Sequence, residues 1–341
     1  AVSRTLSTYL HGSHYLLHLA NFQSQEVGSQ VILQGHLQSL NQQPEGGQFG
    51  VIEDRTGAIP ILISPLFNAS CQLTPSTIVS LAGRVEIDPQ HHCPAGKEPR
   101  RILQVHLGQP ASEAVFEQRN PVDLIPKRLS TDNESIQKLG SWIDLIFHPV
   151  LNHFVRSVFW DTNIINPFVQ VAASWKHHHN YPGGLLQHSL EVTELMASML
   201  QLTPMNDSLY EIGLVAALLH DLGKIHHLER PFTRGLLDHQ SLTLEKIAPH
   251  LPILDQGWPD GATALRHLLT GYESRYRSSM VLLTMLKSAD AISAATEVEQ
   301  SLYNRSKVNQ QFVRAEGPGP ASAFWRPNGS NQSITTAGEH G

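Results

Sequence analysis

Four side chains, His188, His220, Asp221 and Asp290, are of the kinds that hold a metal ion, and each stands where its neighbours call for an apolar residue. Imidazole nitrogen and carboxylate oxygen together suit first-row divalent metals. Leu185, Val192, Leu195 and Met199 share one face of a helical pattern running from Gly184 to Leu200, and His188 falls on that face. His220-Asp221 closes a pattern that starts near Leu209, whose run IGLVAALL is apolar almost all round, the mark of a core helix. Asp290 lies on the apolar stripe of VLLTMLKSADAISAA, seven residues after Leu283. Taken singly, a histidine on an apolar face is more often a satisfied core residue, and a buried aspartate more often a cap or an ion-pair partner. Four of them on three core helices point instead to a metal, because helical bundles build metal sites from facing helices. A carboxylate is almost never fully buried unless it is paired or bound to a metal.

A divalent ion (manganese, iron, nickel or magnesium) at such a set lowers the pKa of water and polarises a phosphoryl group, which is what phosphodiester hydrolysis requires. Asp221 is then both ligand and catalytic residue. Lys224, three residues on, is presented on the same side and suits a phosphate oxygen; the plainer reading is a solvated lysine near a helix end.

The stretches KHHHNYPGGLLQHSLEV and LVAALLHDLGK, followed by Asp290, carry a family resemblance. The H…HD…D spacing resembles the HD superfamily of metal-dependent phosphohydrolases. HHxYxGGLLxHSL followed by LLHDLGK is similar to the YhaM-type 3′–5′ exoribonucleases. The triple histidine with PGGLLxH also resembles the HD-type relaxases of conjugative elements. The resemblance runs from about Pro167 to Leu302. It implies a nuclease acting on single-stranded RNA or DNA, with a 3′–5′ exonuclease foremost. Two alternatives stay open: a relaxase-like DNA-processing protein, and a nucleic-acid-binding protein with a degenerate HD site. The resemblance further implies that His239 and His267 belong to a second metal site or to substrate contact, and that His178 and His179 match a family pair at the mouth of the site. Arg234 joins the expected substrate contacts. Where such enzymes carry a His-His pair a little beyond His267, this chain reads Tyr272-Glu273, which implies one tightly held ion.

At 341 residues the chain has room for two domains. A net charge of −6 gives no global field toward nucleic acid, so any such contact must come from local basic residues. Two cysteines, Cys71 and Cys93, supply no disulfide framework and suggest a reducing cytoplasm. No apolar run reaches the length of a membrane span, and no basic-then-apolar leader opens the chain.

Residues 1–26 hold one short helical pattern (Leu6, Leu10, Leu16, Leu17). Over 27–110 the rhythm becomes that of strands: VILQGHLQSL, QFGVIEDRTG, AIPILIS, TIVSLAGRVEI and RILQVHL, with Asp54 to Gly57 as a turn. Five such strands resemble an OB-fold, a small barrel that often binds single strands on one face. Arg55 and Arg84 are its candidate contacts, although a solvated face is the commoner role for such charges. Residues 111–133 form a connector, 134–302 a helical bundle, and 303–341 a tail rich in Gly, Pro, Ser, Asn and Gln that is expected to lack structure. The expected fold is therefore an N-terminal OB-fold β-barrel followed by an all-α HD-domain bundle.

Overall fold

The computed structural model describes residues 16–65, 73–111, 119–130, 132–174, 179–226, 236–271, 280–307, 310–314 and 323–327. The five expected strands are all present, as β2 (Gln30–Gln42), β3 (Gln48–Glu53), β4 (Ala58–Ile63), β5 (Ile78–Ile87) and β6 (Arg101–Pro110). They pair in the order β2-β3-β4-β6-β5, and β5 returns to β2, so the sheet closes into a barrel. Closure leaves no free sheet edge among these five strands. The β4–β6 pair is parallel and the others are antiparallel. Strand β2 serves two neighbours because of its length: Gln30 to His36 pair with β5, and His36 to Gln42 pair with β3. Alternation along the strands turns Leu33, Leu37, Ile52, Ile61, Leu81 and Leu103 into one core.

At the N-terminus the outcome differs from the helical expectation. Leu16–Leu17 form a short strand, β1, parallel to β2, and Leu19–Ser24 form a 3-10 turn whose Leu19 and Phe22 join the barrel core. Leu6 and Leu10 lie outside the described residues.

The helical region contains α1 (Asn133–Asp144), α2 (Pro149–Trp160), α3 (Thr162–Phe168), α4 (Gly184–Gln201), α5 (Asp207–Leu219), α6 (His239–Ile247), α7 (Leu251–Gly257), α8 (Pro259–Thr270) and α9 (Val281–Asn304). Caps set several starts: Asp132, Asn206 and Asp238 each accept a backbone N–H from the first turn. Helix α5 runs through the centre, with Ile212 to Leu219 all buried, and it packs on α4, α8 and α9. Part of the tail has structure: β7 (Phe312–Arg314) pairs with β8 (Ala323–Trp325), Val313 is buried, and Arg326 lies over the Tyr303 ring. Composition hid this because the strands are three residues long and anchored on α9 rather than on each other alone.

Barrel and bundle are joined through buried polar groups. Arg119 Nη2 reaches Asp54 Oδ2 at 3.3 Å with both side chains almost fully buried, and Asp54 Oδ1 also accepts from Thr56 and Gly57. Arg128 clasps Glu53, Arg55 donates to Ser130 O and Asn133 Oδ1, and His36 meets Asn166 at 3.2 Å. Among the described residues no helix is long and apolar enough to cross a membrane.

Candidate metal centre

Helix α4 places His188. Its start is forced by a tight return of the chain: Gly183 has φ +83°, and a Cβ on Gly184 would lie 2.1 Å from His179 O. His188 therefore enters the core one turn into the helix and is fully buried. Helix α5 ends at Leu219, earlier than its apolar pattern suggests, and the chain turns through His220 and Asp221 into a 3-10 turn, Leu222–Ile225. Gly223 lets this turn press against the start of α6, since a Cβ there would lie 2.0 Å from His239 O. Thr243 fastens the contact: its hydroxyl accepts from Gly223 N at 2.9 Å and lies within 3.0 Å of His220 O. Asp290 arrives from α9.

The ligand atoms of His188, His220, Asp221 and Asp290 all lie within 4.8 Å of one another. His188 Nε2 is 3.3 Å from Asp221 Oδ2 and 3.1 Å from Asp290 Oδ1. His220 Nε2 is 3.3 Å from Asp221 Oδ2 and 3.9 Å from Asp290 Oδ1. His220 Nδ1 lies 2.8 Å from Ala217 O and so donates to it, which leaves the lone pair on Nε2. That Nε2 is buried without a hydrogen-bond partner among the described residues and faces two carboxylates. A lone pair turned toward two anions in a buried site is what a cation satisfies, so these residues fit a divalent metal.

The charges read the same way. Burial alone lifts the Asp221 carboxyl, but His220, Lys224 and His188 outweigh it and hold it well below the usual carboxylate range. Burial alone lowers His188, yet Asp221 and Asp290 push it up to about 9. Burial likewise opposes ionisation of Asp290, which the two histidines nonetheless hold below its ordinary value. Lys224 Nζ sits 2.5 Å from Asp221 Oδ2, brought there by the 3-10 turn rather than by a continued helix.

The other expected site residues divide. His239, at the N-terminus of α6 and 42% exposed, brings Nε2 to 3.5 Å from Asp221 Oδ1. His267 lies on α8, packed beside α6, and its Nε2 is buried with no hydrogen-bond partner among the described residues. His179 does not line the mouth. It is 1% exposed, with Nδ1 2.9 Å from Tyr181 OH and Nε2 3.1 Å from Glu191 Oε2. Its φ of 49° is a left-handed conformation that costs a non-glycine residue about 1–3 kcal/mol, and those two contacts hold it there. Arg55 is spent on the junction between barrel and bundle, and Arg84 pairs with Glu86 on the barrel surface; neither is brought to the cluster. His178, Arg234, Tyr272 and Glu273 lie outside the described residues. Sequence reasoning missed Glu191, Ser293 and Thr243. Only Glu191 left a signal, as a charge one turn after His188.

Residues 185–295 match the family model of the HD domain. The chain is 26% identical over 210 residues to the 3′-5′ exoribonuclease YhaM of Geobacillus sp. (strain WCH70), a match covering 60% of this chain and 57% of that protein. It is 24% identical over 224 residues to YhaM of Bacillus licheniformis, covering 64% of this chain and 66% of that protein. The chain thus spans between about half and two thirds of the length of these relatives. Among solved structures, the second OB-fold domain of replication protein A from Methanococcus maripaludis matches 29% of this chain and 95% of its own, at 13% identity and a TM-score of 0.21. That score is too low to bear on function. The relaxase-like reading finds no support in these matches. His188, His220, Asp221 and Asp290 all fall within the matched range, so residues 185–295 carry an HD domain, and the chain is similar to YhaM over about 60% of its length.

Proposed function

We propose that this protein is a metal-dependent phosphodiesterase that removes nucleotides from the 3′ end of single-stranded RNA. The observation that carries the reading is the convergence of His188, His220, Asp221 and Asp290 within 4.8 Å, with a buried imidazole lone pair facing two carboxylates. Those four side chains would hold the ion, which supplies Lewis acidity toward a phosphoryl oxygen and makes water a better nucleophile at neutral pH. Lys224, 18% exposed and at hydrogen-bond distance from Asp221, is placed to exchange that contact for a phosphate oxygen and so offset charge that grows in the transition state. His239 stands at the exposed edge beside Asp221 Oδ1, where it can orient the leaving group. The RNA and 3′–5′ polarity follow from likeness to YhaM. The barrel, clamped to the bundle through Arg119, Arg128 and Arg55, is a fixed surface over which a strand reaches the centre, in a protein that works in the cytoplasm.

The test is incubation of the protein, loaded in turn with manganese, iron, nickel and magnesium, with 5′-end-labelled single-stranded RNA and DNA of equal length. A ladder of RNA shortened from the 3′ end is expected with at least one metal, and DNA is expected to be cut more slowly. Intact RNA with every metal would leave the chain as a binding protein with a degenerate site. Faster loss of DNA would reassign the substrate.

A further inference from the structure

Behind His188, on the side away from the ligand cluster, lies a run of polar groups that the proposed chemistry does not use. His188 Nδ1 is 3.0 Å from Ser293 Oγ, and Ser293 Oγ donates to Glu191 Oε2 at 2.8 Å. The same Glu191 oxygen is 3.1 Å from His179 Nε2, and Glu191 Oε1 accepts from Gln187 Nε2 at 3.4 Å. Ser293 is buried on α9, one turn beyond Asp290, and Glu191 lies one turn beyond His188 on α4. Two helices that each bring a ligand to the cluster thus also bring one member of the support behind it.

The donors and acceptors in this run can be ordered without ambiguity. An ionised carboxylate only accepts. Burial disfavours the ionised form of Glu191, but His179, Ser293 and Gln187 together hold its carboxyl below the ordinary value, so it is an anion at neutral pH. Ser293 has one hydroxyl proton, and the carboxylate takes it. Toward His188 the hydroxyl is then an acceptor, so Nδ1 of His188 must carry a proton. The lone pair of the neutral ring is left on Nε2, the atom that lies between Asp221 and Asp290.

We propose that Glu191 and Ser293 are positioning residues for the metal centre, which fix His188 as the Nδ1-protonated tautomer with its Nε2 lone pair aimed at the ion. The strained His179 backbone belongs to the same device: its imidazole is the second donor that locks the Glu191 carboxylate in place. His220 reaches the same tautomer by a different route, through Ala217 O, so the two imidazoles are set independently. The carboxylate–serine–histidine support fixes the ring orientation in advance and keeps the proton on Nδ1, so the proton that an incoming ion displaces is the one on Nε2. Outer partners of this kind change metal affinity by roughly 10–100-fold when removed.

The inference rests on the metal-centre reading, and zinc is the probe, being diamagnetic and suited to imidazole and carboxylate. In the zinc-loaded wild type, long-range 1H–15N spectra should show His188 ligated through Nε2, with a protonated Nδ1 whose proton exchanges slowly. Competition against a chromophoric chelator should show Ser293→Ala losing roughly 10–100-fold in zinc affinity, with its Nδ1 proton in fast exchange. Ser189→Ala is the control. It removes a hydroxyl as deeply buried and next to His188, but one with no hydrogen-bond partner among the described residues, and should leave zinc affinity unchanged. Zinc bound through Nδ1 of His188, or Ser293→Ala binding zinc as tightly as the wild type, would overturn the inference while leaving the metal centre standing. A wild type that binds no zinc, manganese or iron would bring down both. The wild-type spectrum decides the tautomer even if Ser293→Ala does not fold.

Discussion

Raising the pH of the metal-free protein should destabilise it, and the cluster sets by how much. His188 is pushed up to about 9 from an ordinary 6.5: burial alone would lower it, and Asp221 and Asp290 more than reverse that. The gap between 6.5 and 9 corresponds to about 3 kcal/mol in favour of the imidazolium in the folded state. The folded pKa lies above the unfolded one, so this stabilisation is complete below pH 6.5 and is lost as the pH climbs to about 9. Metal works in the opposite sense. An ion needs the neutral imidazole, so below pH 9 it must displace a proton, and its apparent affinity rises with pH over the same window. Urea denaturation followed by circular dichroism, with a chelator present, should show stability falling by about 3 kcal/mol between pH 6.5 and 9.5. Saturating manganese should restore it most at the alkaline end. Asp221→Asn removes one of the two carboxylates that charge His188, so its metal-free profile should be flatter. A wild-type profile that is flat or rising, or one identical to that of Asp221→Asn, would refute the reasoning.

Lys224→Ala should lower turnover by roughly a hundredfold, about 3 kcal/mol in the barrier, with metal content unchanged, because the lysine touches Asp221 without being a ligand; single-turnover RNA cleavage checks it. Arg119→Ala strips a buried carboxylate of its ionic partner at the barrel–bundle junction and should cost about 3–5 kcal/mol, read from the urea midpoint.

What the sequence discloses and what it hides follow from the range of the interactions. His188, His220, Asp221 and Asp290 stand out because each is polar where a helix period demands an apolar residue, and that contradiction is local. The barrel strands are legible for the same reason: Leu33, Leu37, Ile52 and Ile61 repeat with the strand period and point to one core. Ser293 carries no such mark. Its partners Glu191 and His188 are about a hundred residues away, and only the packing of α9 on α4 joins them. Arg55 misleads for the same reason, since a basic residue in a barrel turn looks solvated until Ser130 and Asn133 are folded against it. His179 sits in a histidine run that suggests an open site mouth, and the return at Gly183-Gly184 buries it instead. The early end of α5 was hidden by apolar residues that continue through Leu222 and Ile225, which remain core although the helix has stopped.

The central claim is that His188, His220, Asp221 and Asp290 form one metal centre, and elemental analysis of the purified protein beside Asp221→Ala tests it most directly. The wild type should carry about one transition-metal ion per chain, and the variant, folded by circular dichroism, should carry almost none. Equal metal in the two proteins, or none in the wild type after reconstitution with manganese, iron and nickel, would contradict it.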